Sequence, residues 1–435
     1  MKNAVIVLSI IALIGLIVSS ITNFGITIKN KKIKLYWAFP LIVGLIFIIF
    51  GFIPFDTFTD GLLSNNGMNP IKILILFLSM TGLSIFLDEM GLFSFLACKV
   101  VQRSKSSQIK MYFALCGLIA ILTMFTSNDI VILTFTPFII FFCKRTKCNP
   151  IPYLVSEFII ANTWSMMFII GNPTNIYLAS YFGINFIDYF LVMAIPTLCA
   201  GIVEIGILFL IFRKQLLKEF EYSNEEVKLK NLPLTIVGIT ILAICTILLV
   251  VSSYVDFLEM YIVSVGSFFL LIVICLIYFL CKKQRPIELG NAFKRLPYEL
   301  IPFLLGMFTV SLCFNYYGIS ASLCSIFGYE YTNIIYGFSS LLACNLVNNI
   351  PMSVLFSGII SNMGSNLTVL PIYSSIIGSN LGAFITPLGA LAGIMWIEIL
   401  SSHEVKYTFL DFVKYGVIVG IPTAIVALLT LPLFI

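Results

Sequence analysis

Apolar runs of about 20 residues, the length a helix needs to cross the hydrocarbon core of a bilayer, recur from one end of the 435-residue chain to the other. Unbroken runs cover 4–21, 35–55, 71–87, 188–211, 232–253, 260–281, 298–315 and 411–434. Two longer runs, 151–179 and 371–396, carry Gly, Pro, Asn and Thr near their centres. Two further regions, 111–143 and 331–363, are too long for one crossing. Each is divided by a polar break: Thr126-Ser127-Asn128-Asp129 in the first and Asn348-Asn349-Ile350-Pro351 in the second. A membrane-spanning β-barrel would alternate with period two, and these runs do not. Composition closes the argument. Charged residues make up 10 % of the chain and hydrophobic ones 60 %, against about 25 % charged in soluble domains. That surface excludes a soluble enzyme and a nucleic-acid partner, and the chain reads as an all-α polytopic membrane protein with the lipid bilayer as its surroundings.

Basic residues orient the spans, because Lys and Arg gather on the cytoplasmic side. They cluster at 29–34, 99–110, 144–147, 213–230, 282–295 and 406–414, and are missing from 56–70, 180–187, 254–259, 316–330 and 361–370. One topology puts every cluster inside. In it 111–143 turns back as a re-entrant hairpin from the cytoplasm, 331–363 turns back from outside, and the other runs cross. Of the 25 basic residues only Lys2 and Lys72 then lie outside. About ten spans and two hairpins result, with both termini outside, in a multi-pass protein of the cell membrane. Lys29 to Lys34 after the first run argue for a retained span rather than a cleaved leader.

The two halves repeat one order of elements. Each has two spans, a third span running into a short amphipathic stretch, a hairpin, an interrupted span and a last span. Met80 and Gly91 match Met307 and Gly318, and 126–140 aligns without gaps to 346–360. Asn162 precedes Gly171 by the same interval as Asn380 precedes Gly389. Five true spans per half invert the second half relative to the first. The reading is a repeat over 1–212, a cytoplasmic linker over 213–231 and an inverted repeat over 232–435.

Irregular backbone at membrane depth survives only inside protein or beside water, and inverted repeats with broken helices mark secondary transporters. The polar groups at these four places are therefore the candidate substrate and ion site: Ser127, Asn128 and Asp129 at the first tip, Asn348 and Asn349 at the second, Asn162, Thr163, Gly171, Asn172, Thr174 and Asn175 on the first broken span, and Ser379, Asn380, Thr386 and Gly389 on the second. Amide and carbonyl oxygens suit a hard monovalent cation, with Ser127, Asn128, Asn172, Asn348 and Asn380 as the candidate Na⁺ ligands. Amide donors and half-helix N-termini suit an anion, and no Lys or Arg falls in the tips or breaks. Intramembrane acids mark function by default. Asp129 is the foremost, as cap, cation ligand or proton carrier, followed by Glu157 and Glu204, with Asp88 and Glu89 at the membrane edge. The lone histidine, His403, excludes a multi-histidine metal centre, and the 11 cysteines form no Cys-x-x-Cys pair. There is no nucleotide-binding loop for a pump and no paired catalytic acids or His-Glu-x-x-His for an intramembrane enzyme. No cofactor is expected beyond a coupling ion, Na⁺ or H⁺.

At these residues the chain resembles the ion transporter superfamily. The resemblance rests on the Ser-Asn-Asp tip at 127–129, Asn-Thr-Trp-Ser…Gly-Asn-Pro-Thr-Asn over 162–175, Asn-Leu-Val-Asn-Asn-Ile-Pro over 345–351 and Gly-Ser-Asn-Leu-Gly…Gly-Ala-Leu-Ala over 378–392. It covers nearly the whole chain. The branch most like it is the arsenite permease and sodium–proton antiporter group, beside the divalent anion–sodium symporters. The resemblance implies a scaffold domain, a moving transport domain, elevator-type motion and a homodimer. One departure bears on substrate: the arsenite branch carries Asp where this chain has Asn162 and Asn380. The expected function is a secondary transporter of a small inorganic or organic anion coupled to Na⁺ or H⁺. A cation–proton antiporter or arsenite efflux permease is the alternative.

Overall fold

The computed structural model describes residues 1–21, 25–28, 31–63, 69–105, 107–219, 227–255 and 257–435. Lys29 of the first basic cluster, 64–68 of the first bare segment and 220–226 of the linker lie outside the described residues.

The first half runs α1 (Lys2–Ile21), a short antiparallel ribbon of β1 (Gly25–Ile28) and β2 (Lys31–Lys34), α2 (Ala38–Ile49), α3 (Phe55–Leu63), α4 (Pro70–Glu89), α5 (Leu92–Ser104), α6 (Gln108–Phe125), α7 (Asn128–Thr146), α8 (Ile151–Trp164), α9 (Pro173–Tyr181) and α10 (Phe186–Leu216). The second half runs α11 (Leu232–Ser252), α12 (Met260–Cys281), α13 (Ile287–Arg295), α14 (Leu300–Tyr316), α15 (Ile319–Phe327), α16 (Thr332–Val347), α17 (Asn349–Ser361), α18 (Leu370–Gly382), α19 (Leu391–Ser402) and α20 (Phe409–Thr430). The protein is a helical membrane protein. Among the described residues eight helical stretches are long and apolar enough to cross a bilayer: α1, α4, α6, α10, α11, α12, α13 running into α14, and α20.

Two expectations change in detail. The apolar run 35–55 is not one helix. α2 has 12 residues and stops at Phe50, Gly51 follows at φ +67°, and a new helix starts only after Pro54. At 1.5 Å per residue α2 alone reaches about 18 Å, so a crossing by this run needs α3 as well. The second change is the ribbon at 25–34, two strands within an otherwise helical chain.

Capping residues explain where the helices begin and end. Asn69 accepts the backbone N–H groups of Ile71 and Lys72 ahead of Pro70, which starts α4. Pro in the first turn costs nothing, since its missing donor would have no helical partner there. α4 and α14 both end at a glycine with positive φ, +82° at Gly91 and +67° at Gly318, and the next short helix starts there. At the same end of α4, Arg295 bridges Asp88 at 2.7 Å and Glu89 at 2.6 Å. Those two acids are engaged in an ion-pair cluster and hold α13 onto α4.

Packing runs crosswise between the halves. α4 lies against α12 and α2 against α14; α9 lies against α17 and α19 against α7; α10 and α20 pack on each other. The outer helices turn isoleucine and phenylalanine outward, such as Ile10 and Ile14 on α1, Ile247 on α11 and Phe269 on α12. The centre is formed by α8 and α18, in which every residue from Pro152 to Thr163 and from Pro371 to Gly382 is buried. A helix hydrophobic all round is a core helix. These two carry Asn162 and Asn380 near their C-terminal ends.

Candidate functional site

The site forms where α8 and α18 stop. α8 ends at Trp164, a single 3₁₀ turn follows over Ile169–Gly171, and Asn172 in extended conformation caps α9. Pro173 forces the restart, because it cannot donate within a helix. The Asn172 Oδ1 accepts from the Thr174 backbone N–H and from the Thr174 hydroxyl, both at 3.1 Å. Gly171 lies on the Ser165 carbonyl so closely that a Cβ would overlap it. The second break has the same device. Gly389 approaches the Gly382 carbonyl, where a Cβ would stand at 2.6 Å.

Asparagines knit the breaks together. The Asn128 Nδ2 donates to Asn162 Oδ1 at 3.1 Å, and the Asn162 Nδ2 donates back to the Phe158 carbonyl at 2.8 Å. Asn380 is the hub. Its Oδ1 accepts from Asn172 Nδ2 at 2.8 Å and lies 2.9 Å from the Ser165 hydroxyl. Its Nδ2 donates to Asn175 Oδ1 at 2.7 Å and to the Ile376 carbonyl at 2.8 Å. The Asn175 Nδ2 returns to the Ser165 carbonyl at 2.8 Å. Asn162, Thr163, Ser165, Asn172, Thr174, Asn175, Ser379 and Asn380 are wholly buried. Three oxygens in this neighbourhood, Asn128 Oδ1, Thr163 Oγ1 and Ser379 Oγ, have no hydrogen-bond partner among the described residues.

The second tip is built differently. Asn348 stands at φ +74° and its Nδ2 donates to the Leu388 carbonyl at 3.2 Å. The Asn349 backbone N–H donates to the Gly389 carbonyl at 3.0 Å. Asn345, one turn earlier on α16, receives the Thr386 backbone N–H at 2.9 Å and hydroxyl at 2.7 Å, and donates to the Gly382 carbonyl at 3.0 Å. Asn128 and Asn348 are therefore not equivalent. α7 starts at Asn128 with Ser127 as its cap residue, whereas Asn348 is itself the cap of α17, so the helix starts one residue later.

Asp129 sits in the first turn of α7, half-buried, with no hydrogen bond or ion pair to a described residue. Ser127 is buried, and its side chain makes no capping bond to α7. Among the five candidate Na⁺ ligands, Asn172 and Asn380 present oxygens that already accept donors, and Asn128 presents a free one. The Asn348 oxygen accepts one long contact, from Ile350 N–H at 3.4 Å.

Two residues of this hydrogen-bonded network were not among the candidates, Ser165 and Asn345. Both stood inside the motifs, Ser165 at the end of Asn-Thr-Trp-Ser and Asn345 at the start of Asn-Leu-Val-Asn-Asn. Asn345 lies within α16, three residues before Asn348 and therefore beside it along the helix; the polarity of the break itself does not reveal it. The joined surface offers neutral amide donors, amide oxygens and hydroxyls. It can hold an anion through N–H groups or a cation through oxygens without any permanent charge.

Comparison with known proteins places the chain among membrane transporters. The citrate transporter family pattern (CitMHS) matches residues 24–377. An arsenical pump membrane protein of Escherichia coli is 27 % identical over 375 residues, 82 % of this chain and 85 % of that one. The protein of the same description from Yersinia enterocolitica is 26 % identical over 376 residues, with the same coverage. Among solved structures, the Alcanivorax borkumensis YdaH transporter superposes with a TM-score of 0.59 at 12 % identity, covering 99 % of this chain and 98 % of that one. At that identity the likeness is one of fold.

Proposed function

The chain belongs to the CitMHS citrate transporter family, and from that premise we propose that it is a secondary active permease moving a small anion, a carboxylate or inorganic oxyanion, coupled to Na⁺ or H⁺. The observation that carries this reading is the buried asparagine array joining both broken helices, with Asn380 bonded to Ser165, Asn172 and Asn175 across the two halves. Half-helix ends and neutral donors recognise an anion without an arginine clamp.

In this reading the protein is a pair of inverted repeats, 1–212 and 232–435, each with a re-entrant hairpin whose tip meets the array. The crosswise packing of the halves supports it. For the second hairpin so do the lengths of α16 and α17, 16 and 13 residues, or about 24 and 20 Å, each too short to cross. The transport domain moves against a scaffold in a homodimer, elevator fashion, and both termini lie outside. Ser127, Asn128, Asp129, Thr163, Ser379 and the asparagines of both breaks bind substrate and ion.

Uptake of labelled citrate and of arsenite into vesicles carrying the purified protein, with and without Na⁺ and a pH gradient, tests the reading. Accumulation of either anion driven by an ion gradient supports it. Na⁺ or Li⁺ flux that no anion stimulates makes the protein a cation–proton antiporter instead. A second reading, arsenite efflux, is favoured by the similarity to arsenical pump membrane proteins over more than four fifths of both chains. It predicts arsenite movement with no citrate movement.

A further inference from the structure

The chain has 3 tryptophans, and two of them face buried glutamates. Glu204 on α10 is fully buried and neither carboxyl oxygen has a partner within hydrogen-bonding distance among the described residues. Opposite it on α8 stand Thr163 and Trp164, whose hydroxyl and indole nitrogen also have no partner at hydrogen-bonding distance. The helices meet closely here, for a Cβ on Gly201, one turn before Glu204, would stand 2.7 Å from the Trp164 Nε1. Glu157 on α8 has a similar pair of neighbours, Thr136 and Trp396. It differs in one respect. The Thr136 hydroxyl lies 2.9 and 3.1 Å from its two oxygens, so Glu157 has a fixed bond and Glu204 has none.

Glu204 lies about 27 Å along α10 from Phe186, well inside the span, and no Lys, Arg or His among the described residues pairs with it. Tyr112 and Cys116 on α6 are the titratable side chains near it. An isolated carboxylate in apolar surroundings costs many kcal/mol, so the group rests as the neutral acid. A metal ion is the wrong occupant, since it needs several oxygen ligands and an indole N–H can only donate. Those donors suit the other state: once the proton leaves, the hydroxyl and the indole N–H are at hand for the carboxylate. Thr163 is also the next residue after Asn162, which holds Asn128. A change at Thr163 therefore reaches the array through one peptide unit.

We propose that Glu204, with Thr163 and Trp164, is a proton-binding site of the transport cycle, set behind the asparagine array. The proposal rests on the transport reading and names the coupling ion as H⁺. A hydronium ion entering from one side gives its proton to a Glu204 oxygen, forming the O–H bond and leaving water. On the other side water takes that proton and leaves the carboxylate, now bonded by Thr163 and Trp164.

The test uses the full chain in vesicles with a pH-sensitive dye inside, driven by a citrate gradient in one series and an arsenite gradient in another. Glu204→Gln is expected to carry about a tenth or less of the wild-type protons per solute, and Glu157→Gln to stay within about twofold of wild type. Trp164→Phe keeps the bulk and removes the donor, and is expected to move the pH profile of proton flux about one unit alkaline. A wild-type proton-to-solute ratio in Glu204→Gln, or an unmoved profile in Trp164→Phe, overturns the site. Wild-type protein that moves neither solute defeats the anion-transport reading for both probes. Infrared spectra then decide the proton site alone: a protonated-carboxyl band present in wild type and missing in Glu204→Gln supports it, and identical spectra overturn it.

Discussion

The two hairpin tips occupy matched places in the chain, yet they are tied down by different chemistry. At the first tip a side chain meets a side chain, Asn128 Nδ2 on Asn162 Oδ1, and the Asn128 oxygen is left free. At the second tip the bonds run to the backbone of the loop after α18, from Asn348 to Leu388 and from the Asn349 N–H to Gly389. The Asn345 Oδ1 accepts the Thr386 backbone N–H of the same loop, and its Nδ2 donates to the carbonyl of Gly382, the last residue of α18. Backbone bonds fix a shape; side-chain amides can turn and exchange partners. The first tip is therefore held by an exchangeable side-chain bond and the second by bonds to backbone. Asn380, bonded to Ser165, Asn172 and Asn175, connects the first broken helix to the second.

The largest expected effect is at that connection. Asn380→Ala leaves Asn172 Nδ2 and Asn175 Oδ1 short of a partner in a buried place, each unsatisfied group costing about 1–3 kcal/mol, while the Ser165 hydroxyl keeps the Asn162 carbonyl at 2.7 Å. Uptake should vanish and the melting temperature of the purified protein should drop clearly. Normal melting would mean that the array is held by its neighbours and not by Asn380. Next comes the comparison of the tips. Asn128→Ala should lower uptake at least about a hundredfold at near-normal folded yield, because it removes one modest hydrogen bond together with the free oxygen. Asn348→Ala should lower uptake only about tenfold, since the Asn349 N–H still holds the loop. Equal losses measured side by side would erase the distinction.

Asp129→Asn has a smaller and more selective effect. Asp129 makes no bond with the rest of the site, and the aligned residue of the second tip, Asn349, is already an amide. Solute binding by thermal shift should persist, while the dependence of uptake on the driving ion should weaken severalfold. Unaltered ion dependence would reduce Asp129 to a favourable charge at a helix N-terminus. The least perturbing test concerns orientation. Cysteine at Ser361, at the end of α17, should react with an impermeant thiol reagent from outside, and the exposed native Cys281 only from inside. Labelling of Cys281 from outside would invert the second half and place the second tip on the opposite side.

Much of the architecture was legible along the chain. Apolar length located α4, α10, α11, α12 and α20 within a few residues. Pro173, Gly171 and the Thr386-Pro387 pair marked where α8 and α18 stop. Gly91 and Gly318, matched between the halves along the chain, both stand at positive φ. The run 35–55 misled, because hydropathy cannot distinguish one long helix from a short one followed by a turn at Gly51. Ser165 and Asn345 were in view but unassigned, since their polarity is no greater than that of other serines and asparagines nearby.

The sequence by itself determined that this protein lives in a bilayer, that its helices break at four polar places, and that those places carry asparagines and the acid Asp129 but no Lys or Arg. All of these depend on short stretches of chain, where apolar length and the conformational limits of Pro and Gly act over a few residues. Only the tertiary structure decided which amide meets which. Asn380 and Ser165 are 215 residues apart, and Glu204 faces Trp164 across two helices. Local preference says nothing about such pairs. They are set by how buried polar groups find one another once the apolar helices have packed, and that choice tied the first tip through side chains and the second through backbone.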